Sequence, residues 1–195
     1  VGSWTARLLK PLGSRLVAVE DATGAIANPA GIDADALADY VEEHGGIAGY
    51  PKANAIDHRE FLSTTADIFI PAALESQITA TTAPWLNVGT VVEAANGPTD
   101  LDGDAILRER GVTILPDILC NAGGVTVSYF EWLQNKRSEF WTLEEVDAKL
   151  HRLMMSAYER VRDTVKEFDP DWRTAAYIVA MRRLEKVYKE RGIFP

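Results

Sequence analysis

Cysteine is almost missing from this chain: Cys120 is the only one in 195 residues, so no intrachain disulfide can form and a small secreted scaffold is excluded. Basic residues are the minority, 20 Lys and Arg against 29 Asp and Glu, and the net charge of −9 repels polyphosphate backbones. Nucleic acid is therefore not the expected partner. No apolar run approaches the roughly 20 residues that cross a membrane, and the opening VGSWTARLLK lacks the basic-then-apolar order of a signal peptide. The cytoplasm is the expected compartment, with no membrane partner. His44, His58 and His151 are scattered without ligand spacing, and Cys120 has no histidine beside it in sequence, so neither a metal site nor a nucleophile triad is expected. What remains is ordinary for a globular protein, 47% hydrophobic and 25% charged. The length suits one sizeable domain with a C-terminal extension or a small second unit.

Apolar residues at helical spacing in SWTARLLKPLG predict a short helix ending at Gly13. RLVAVED then predicts a buried parallel strand over Arg15 to Val19, DATGAIANPAG a loop, and Asp33 the cap of a helix over about 34–43. ADIFIPAAL, TVVEAANGPT and VTILPDI repeat one design, an apolar strand followed by proline or small residues, with a helix over about 102–110 before the last. From Val125 onward the pattern is helical, over about 125–135, 143–167 and 173–191. Strands alternating with helices at this spacing predict an α/β fold with a doubly wound, mostly parallel, Rossmann-like sheet and C-terminal helices. Ligands of such sheets bind beyond the carboxyl ends of the strands.

Four loops are then expected at one edge. Glu20 and Asp21 end a strand where an acid accepts hydrogen bonds from adenosine ribose hydroxyls and repels a 2′-phosphate; the plainer reading is a pair of solvated acids. Ala72 and Ala73 are small enough for a flat ring to lie on the backbone, or simply pack tightly. Asn96 and Asn121 each follow a strand beside glycine, where an amide reaches a ligand, although Asn-Gly is also a common turn. The complete glycine fingerprint of dinucleotide folds is missing: GGIAG at Gly45 to Gly49 follows a helix and reads as its C-cap. Gly2 stands where the third fingerprint glycine falls, so the sheet is expected to lack its first strand. Ser128, one turn past Gly124, projects its hydroxyl from a helix start or bonds its own backbone. Tyr129, Phe130 and Trp132 read as core or interface, and Cys120 as a small buried residue behind the loop.

VEAANGPTD, PDILCNAGGVTVSYFEWLQN and DWRTAAYIVAM, supported by IFIPAALESQIT, resemble the nucleotide-binding domain of the glutamate, leucine, phenylalanine and valine dehydrogenases, and the hexameric glutamate enzymes in particular. The resemblance implies reversible oxidative deamination of L-glutamate to 2-oxoglutarate and ammonia with NAD, NADP being possible through hydroxyls such as Thr23. It implies that Gly2, Glu20, Asp21, Ala72, Ala73, Asn96 and Asn121 bind cofactor, while Val125 and Ser128 line the amino-acid pocket. It also implies a homo-hexamer, and catalytic groups in a substrate domain outside this sequence. Residues 1–135 are expected to form the nucleotide-binding domain and 136–195 a helical segment returning toward that substrate domain. Two other readings stay open: a non-catalytic dinucleotide-binding or regulatory module, and a dehydrogenase of another amino acid.

Overall fold

A computed structural model describes residues 1–192. The chain divides into two compact units, residues 1–113 and the remainder from Ile114.

In the first unit α1 (Gly2–Leu9) runs into a 3-10 turn that stops at Gly13, whose φ of 88° lies in the left-handed region open to glycine. β1 (Leu16–Asp21) and β2 (Gly24–Ile32) form a hairpin around Ala22-Thr23, and β3 (Asn54–Ile56) joins the other edge of β2; both pairings are antiparallel. The α/β class holds, but two local expectations need correction. β1 is the edge of an antiparallel sheet rather than a parallel strand, and most of the stretch read as loop is β2. Its Asn28-Pro29 and Gly31 mislead because they occupy a bulge. Leu16 faces Ile32 while Ala18 already faces Ala27, and the β3 ladder also stops at Ala27, so Pro29 stands outside both registers.

α2 (Ala34–His44) starts at Asp33, whose carboxylate accepts from the Asp35 and Ala36 amides, and ends at left-handed Gly45. Its Leu37 joins Ile26, Ile32, Ile47 and Tyr50 in a core over the antiparallel sheet. α3 (His58–Ser63) is fixed by a reciprocal capping box between Asp57 and Glu60.

β4 (Ala66–Phe69) and β5 (Val88–Val92) are parallel, with Ala66 opposite Val88 and Phe69 opposite Val91, so both leave the sheet at one edge. β6 (Thr113–Leu115) is third in the order β4-β5-β6, and the division between the units falls within it. α4 (Leu101–Glu109) approaches the backbone so closely that a Cβ on Gly103 would lie 2.5 Å from the Ile78 carbonyl oxygen. Arg110 then donates to the carbonyls of Ala83 and Leu86, pinning the end of α4.

The second unit holds α5 (Asp117–Cys120), α6 (Ala122–Arg137), α7 (Leu143–Phe168) and α8 (Trp172–Arg191). Thr142 and Asp171 cap the two long helices. Leu119, Val161, Ala175 and Ala176 form the core between them, and Tyr158 stacks on Trp172 at 5.7 Å. α6 begins three residues earlier than expected, which draws Gly123 and Gly124 into its first turn. Among the described residues no helix is long and apolar enough to cross a membrane.

Candidate functional site

The parallel edge is built from main-chain bonds. Past β4 the chain continues as Pro71-Ala72-Ala73, and past β5 as Glu93-Ala94-Ala95-Asn96-Gly97-Pro98. The Pro71 carbonyl accepts from the amides of Ala94 at 3.1 Å and Ala95 at 2.9 Å. Ser76 donates to the Gly97 carbonyl, Gln77 and Ile78 both donate to that of Pro98, and Asp100 donates back to Ile78. The two loops are thus one layer at the carboxyl ends of the strands, where parallel sheets receive ligands. Ala73 and Asn96 are exposed on it and Ala72 is half-buried. The start of α1 reaches the same layer, since a Cβ on Gly2 would meet Ala72 Cβ at 3.6 Å. Ala72, Ala73 and Asn96 therefore lie on segments joined by main-chain hydrogen bonds, with Gly2 against Ala72. Glu93, which the sequence reading passed over, is fully buried here and is engaged. Its signal was a lone acid inside TVVEAAN, a place where an unsatisfied carboxylate would be costly.

Glu20 and Asp21 separate into different roles. Neighbours on a strand face opposite sides. Asp21 closes the hairpin: one carboxylate oxygen accepts from the Thr23 amide at 2.7 Å and hydroxyl at 2.5 Å, and the other from the Ile47 amide at 3.1 Å. Thr23 also accepts from the Ala48 amide, so the hydroxyl expected to help a phosphate serves the turn. Glu20, half-buried, ends a strand of the antiparallel sheet rather than of the parallel one, and its partner is His58, whose Nδ1 lies 2.9 and 3.0 Å from its two oxygens. His58 was read only as a histidine without metal spacing.

Charge braces α1 from below. Lys10 donates to Asp33 and Asp35, both at 2.8 Å, and Arg7 bonds Asp35 at 2.9 Å. The Ala36 amide, aided by Lys10, lowers the Asp33 carboxyl to about 2. Lys10 and then Arg7 lower that of Asp35, and the two acids raise the Lys10 ammonium. Lys10 is thus a structural cation.

In the second unit Asn121 is the hinge between α5 and α6, with φ −96° and ψ 0°, half-buried and engaged. Arg173, from the DWR stretch that opens α8, bonds Asp117 at 3.1 Å and ties α8 to the turn before Asn121. Gly123 and Gly124 carry no left-handed φ. A Cβ on Gly123 would make an ordinary 3.8 Å contact with Leu150, and one on Gly124 would meet nothing within 4 Å. Neither backbone nor packing in this unit requires glycine there, although two glycines in a helix cost about 1 kcal/mol each relative to alanine. Val125 is 71% exposed and Ser128 is exposed one turn further on. The aromatic cluster divides: Phe130 is buried edge-on to Trp141, while Tyr129 and Trp132 are exposed and stacked. Cys120 is half-buried behind the hinge, its thiol toward the Leu115 carbonyl. Among the described residues no group of three or more His, Cys, Asp or Glu could hold a metal ion.

Each unit, described by itself, has counterparts in known proteins. Glutamate dehydrogenase of Thermotoga maritima is 46% identical across this whole chain, which covers 47% of that protein. Two Halobacterium salinarum relatives, an NAD-specific glutamate dehydrogenase A and an NADP-specific glutamate dehydrogenase A1, are 43% and 42% identical, each over the whole chain, which covers 45% and 47% of them. Among solved structures, a hetero-hexameric glutamate dehydrogenase from Thermus thermophilus in a Leu-bound form superposes with a TM-score of 0.89 at 28% identity, over all of this chain and 46% of that one. The chain thus spans about half the length of the curated relatives it matches. The sequence profile of the Glutamate/Leucine/Phenylalanine/Valine dehydrogenases matches residues 1–192, and the chain belongs to that family.

Proposed function

We propose that this chain is the cofactor-binding part of an enzyme that oxidatively deaminates L-glutamate to 2-oxoglutarate and ammonia, with NAD as cofactor and NADP possible. The observation that carries the proposal is the start of α6. Two glycines that the chain itself does not need sit beside Asn121 and one turn before an exposed Ser128, which is what close approach by an outside molecule calls for. The residues present fit a dinucleotide: Gly2, Ala72 and Ala73 keep side chains short at the sheet edge, and Glu20 offers carboxylate oxygens to ribose hydroxyls. Asn96 and Asn121 hold amides beside the ligand. The nicotinamide, when bound, supplies the hydride acceptor. Val125 and Ser128 line the amino-acid pocket, with the Ser128 hydroxyl donating to the distal carboxylate of glutamate. No residue of this chain is given the catalytic proton transfer.

Residues 1–135 serve as the nucleotide-binding domain and 136–195 as helices returning toward the substrate domain. The assembly is a hexamer, supported by the hetero-hexameric state named for the Thermus thermophilus neighbour, and its homomeric form rests on the sequence resemblance. The compartment is the cytoplasm, supported by the single cysteine.

The test is Ser128→Ala in the complete enzyme. Loss of a hydrogen bond to a charged group lowers kcat/KM for glutamate by about 1.5 to 3 kcal/mol and leaves the KM for the dinucleotide in place. Unchanged glutamate kinetics would remove Ser128 from the pocket, and the substrate assignment would lose its main support.

A further inference from the structure

We propose that His58 sets the cofactor preference of this site by acting on Glu20, a role that rests on the reading of Glu20 as the ribose acid. Asp21 is tied into the hairpin by three hydrogen bonds, so the discriminating charge at the end of β1 comes down to one carboxylate. That carboxylate is held on both oxygens by one imidazole nitrogen, at 2.9 and 3.0 Å. A donor shared between the two oxygens fixes their direction and withdraws part of their negative potential.

The imidazole is itself held in place. His58 is the first residue of α3, immediately after the Asp57 cap, and its ring meets the edge of Trp85 at 6.4 Å and 76°. Arg59 places its guanidinium 5.3 Å over the same Trp85 ring, so a cationic side chain stands one residue away. A bare acid at a strand end rejects a 2′-phosphate by repulsion. An acid clamped by His58, with Arg59 nearby, rejects it less. His58 is thus a positioning residue that moderates NAD preference and lets NADP compete. The NAD-specific and NADP-specific relatives are nearly equally similar to this chain, at 43% and 42% identity, so preference is a matter of local groups such as these rather than of overall likeness.

The experiment measures kcat/KM for NAD and for NADP in the complete enzyme and follows their ratio. His58→Ala should raise the NAD-to-NADP ratio about fivefold to tenfold, because the carboxylate regains its full repulsion. Glu20→Gln should lower it by about tenfold, and the double variant should match Glu20→Gln alone, as expected if His58 acts only through Glu20. His58→Arg, which keeps a donor and brings a permanent charge, should lower the ratio below that of the wild type. A purely structural histidine would reduce the use of both cofactors together and leave the ratio where it was. An unchanged ratio in His58→Ala, with the Glu20→Gln effect present, overturns the role of His58 while Glu20 keeps its own. An unchanged ratio in Glu20→Gln overturns the ribose role of Glu20 itself and this inference with it.

Discussion

Two stretches of this chain look alike in sequence and differ in construction. Asn96-Gly97 lies past β5 and Asn121-Ala-Gly-Gly past the short helix α5, and each pairs an amide side chain with glycine. In the first, Gly97 adopts a left-handed φ of 52° and Gly103 lets α4 touch the Ile78 backbone, so glycine serves the chain. In the second, Gly123 and Gly124 are helical and have room for a side chain, so neither backbone nor packing calls for glycine there. The same residue type is a folding device in one place and, on the function proposed above, a binding device in the other, and φ and the space around the absent Cβ are what separate them.

Substitution should expose that difference, with the largest effect expected at Gly124. Gly124→Ala in the complete enzyme should lower kcat/KM for the dinucleotide about a hundredfold, as small displacements of a bound reactant do. Its melting temperature should hold or rise, because alanine favours a helix by about 1 kcal/mol. Loss of stability together with activity would make the second stretch like the first and dissolve the contrast. Gly103→Ala comes next: its Cβ would strike backbone, and denaturant titration should show a loss of about 3 kcal/mol. Gly97→Ala should cost only about 1 kcal/mol, since nothing lies within 4 Å of its Cβ and the penalty is backbone strain alone.

The smallest effect concerns the charges that brace α1, whose Gly2 adjoins Ala72. Asp33 and Asp35 are lowered from an ordinary 3.8 in the folded state, Asp33 to about 2. Their contribution is therefore complete above about pH 4 and is lost as pH falls toward 2. Melting followed from pH 5 to pH 2 should show a slope over that window, and Lys10→Met should flatten it. An equal slope in that variant would mean that Lys10 contributes nothing to the brace.

Much of this was legible in the sequence. β4, β5 and β6 announced themselves as short apolar runs ended by proline or small residues, and the C-terminal helices by periodicity, because burial on a sheet or bundle leaves that imprint on local order. β2 was hidden, since Asn28, Pro29 and Gly31 are turn residues everywhere except in a bulge that only the pairing with β1 creates. The partition of Glu20 from Asp21 was half visible. Asp-Ala-Thr is a plausible side-chain-closed turn, so Asp21 could have been assigned to the hairpin from local chemistry. His58 could not have been found in this way: it meets Glu20 across 38 positions of sequence, and no periodicity records such a contact. At Gly123 and Gly124 the sequence shows only glycine after Asn121, and that the space beside them is open is a property of the folded chain.

The bonds joining the loops after β4 and β5 bear on how this scaffold can be re-engineered. Six main-chain hydrogen bonds connect 71–78 with 94–100, and the donors alternate between the two segments. Inserting or deleting a residue in either one shifts a whole row of partners in the other. Residues 71–78 and 94–100 are therefore a single cassette, and a graft intended to alter what the sheet edge receives has to carry both halves from the same donor.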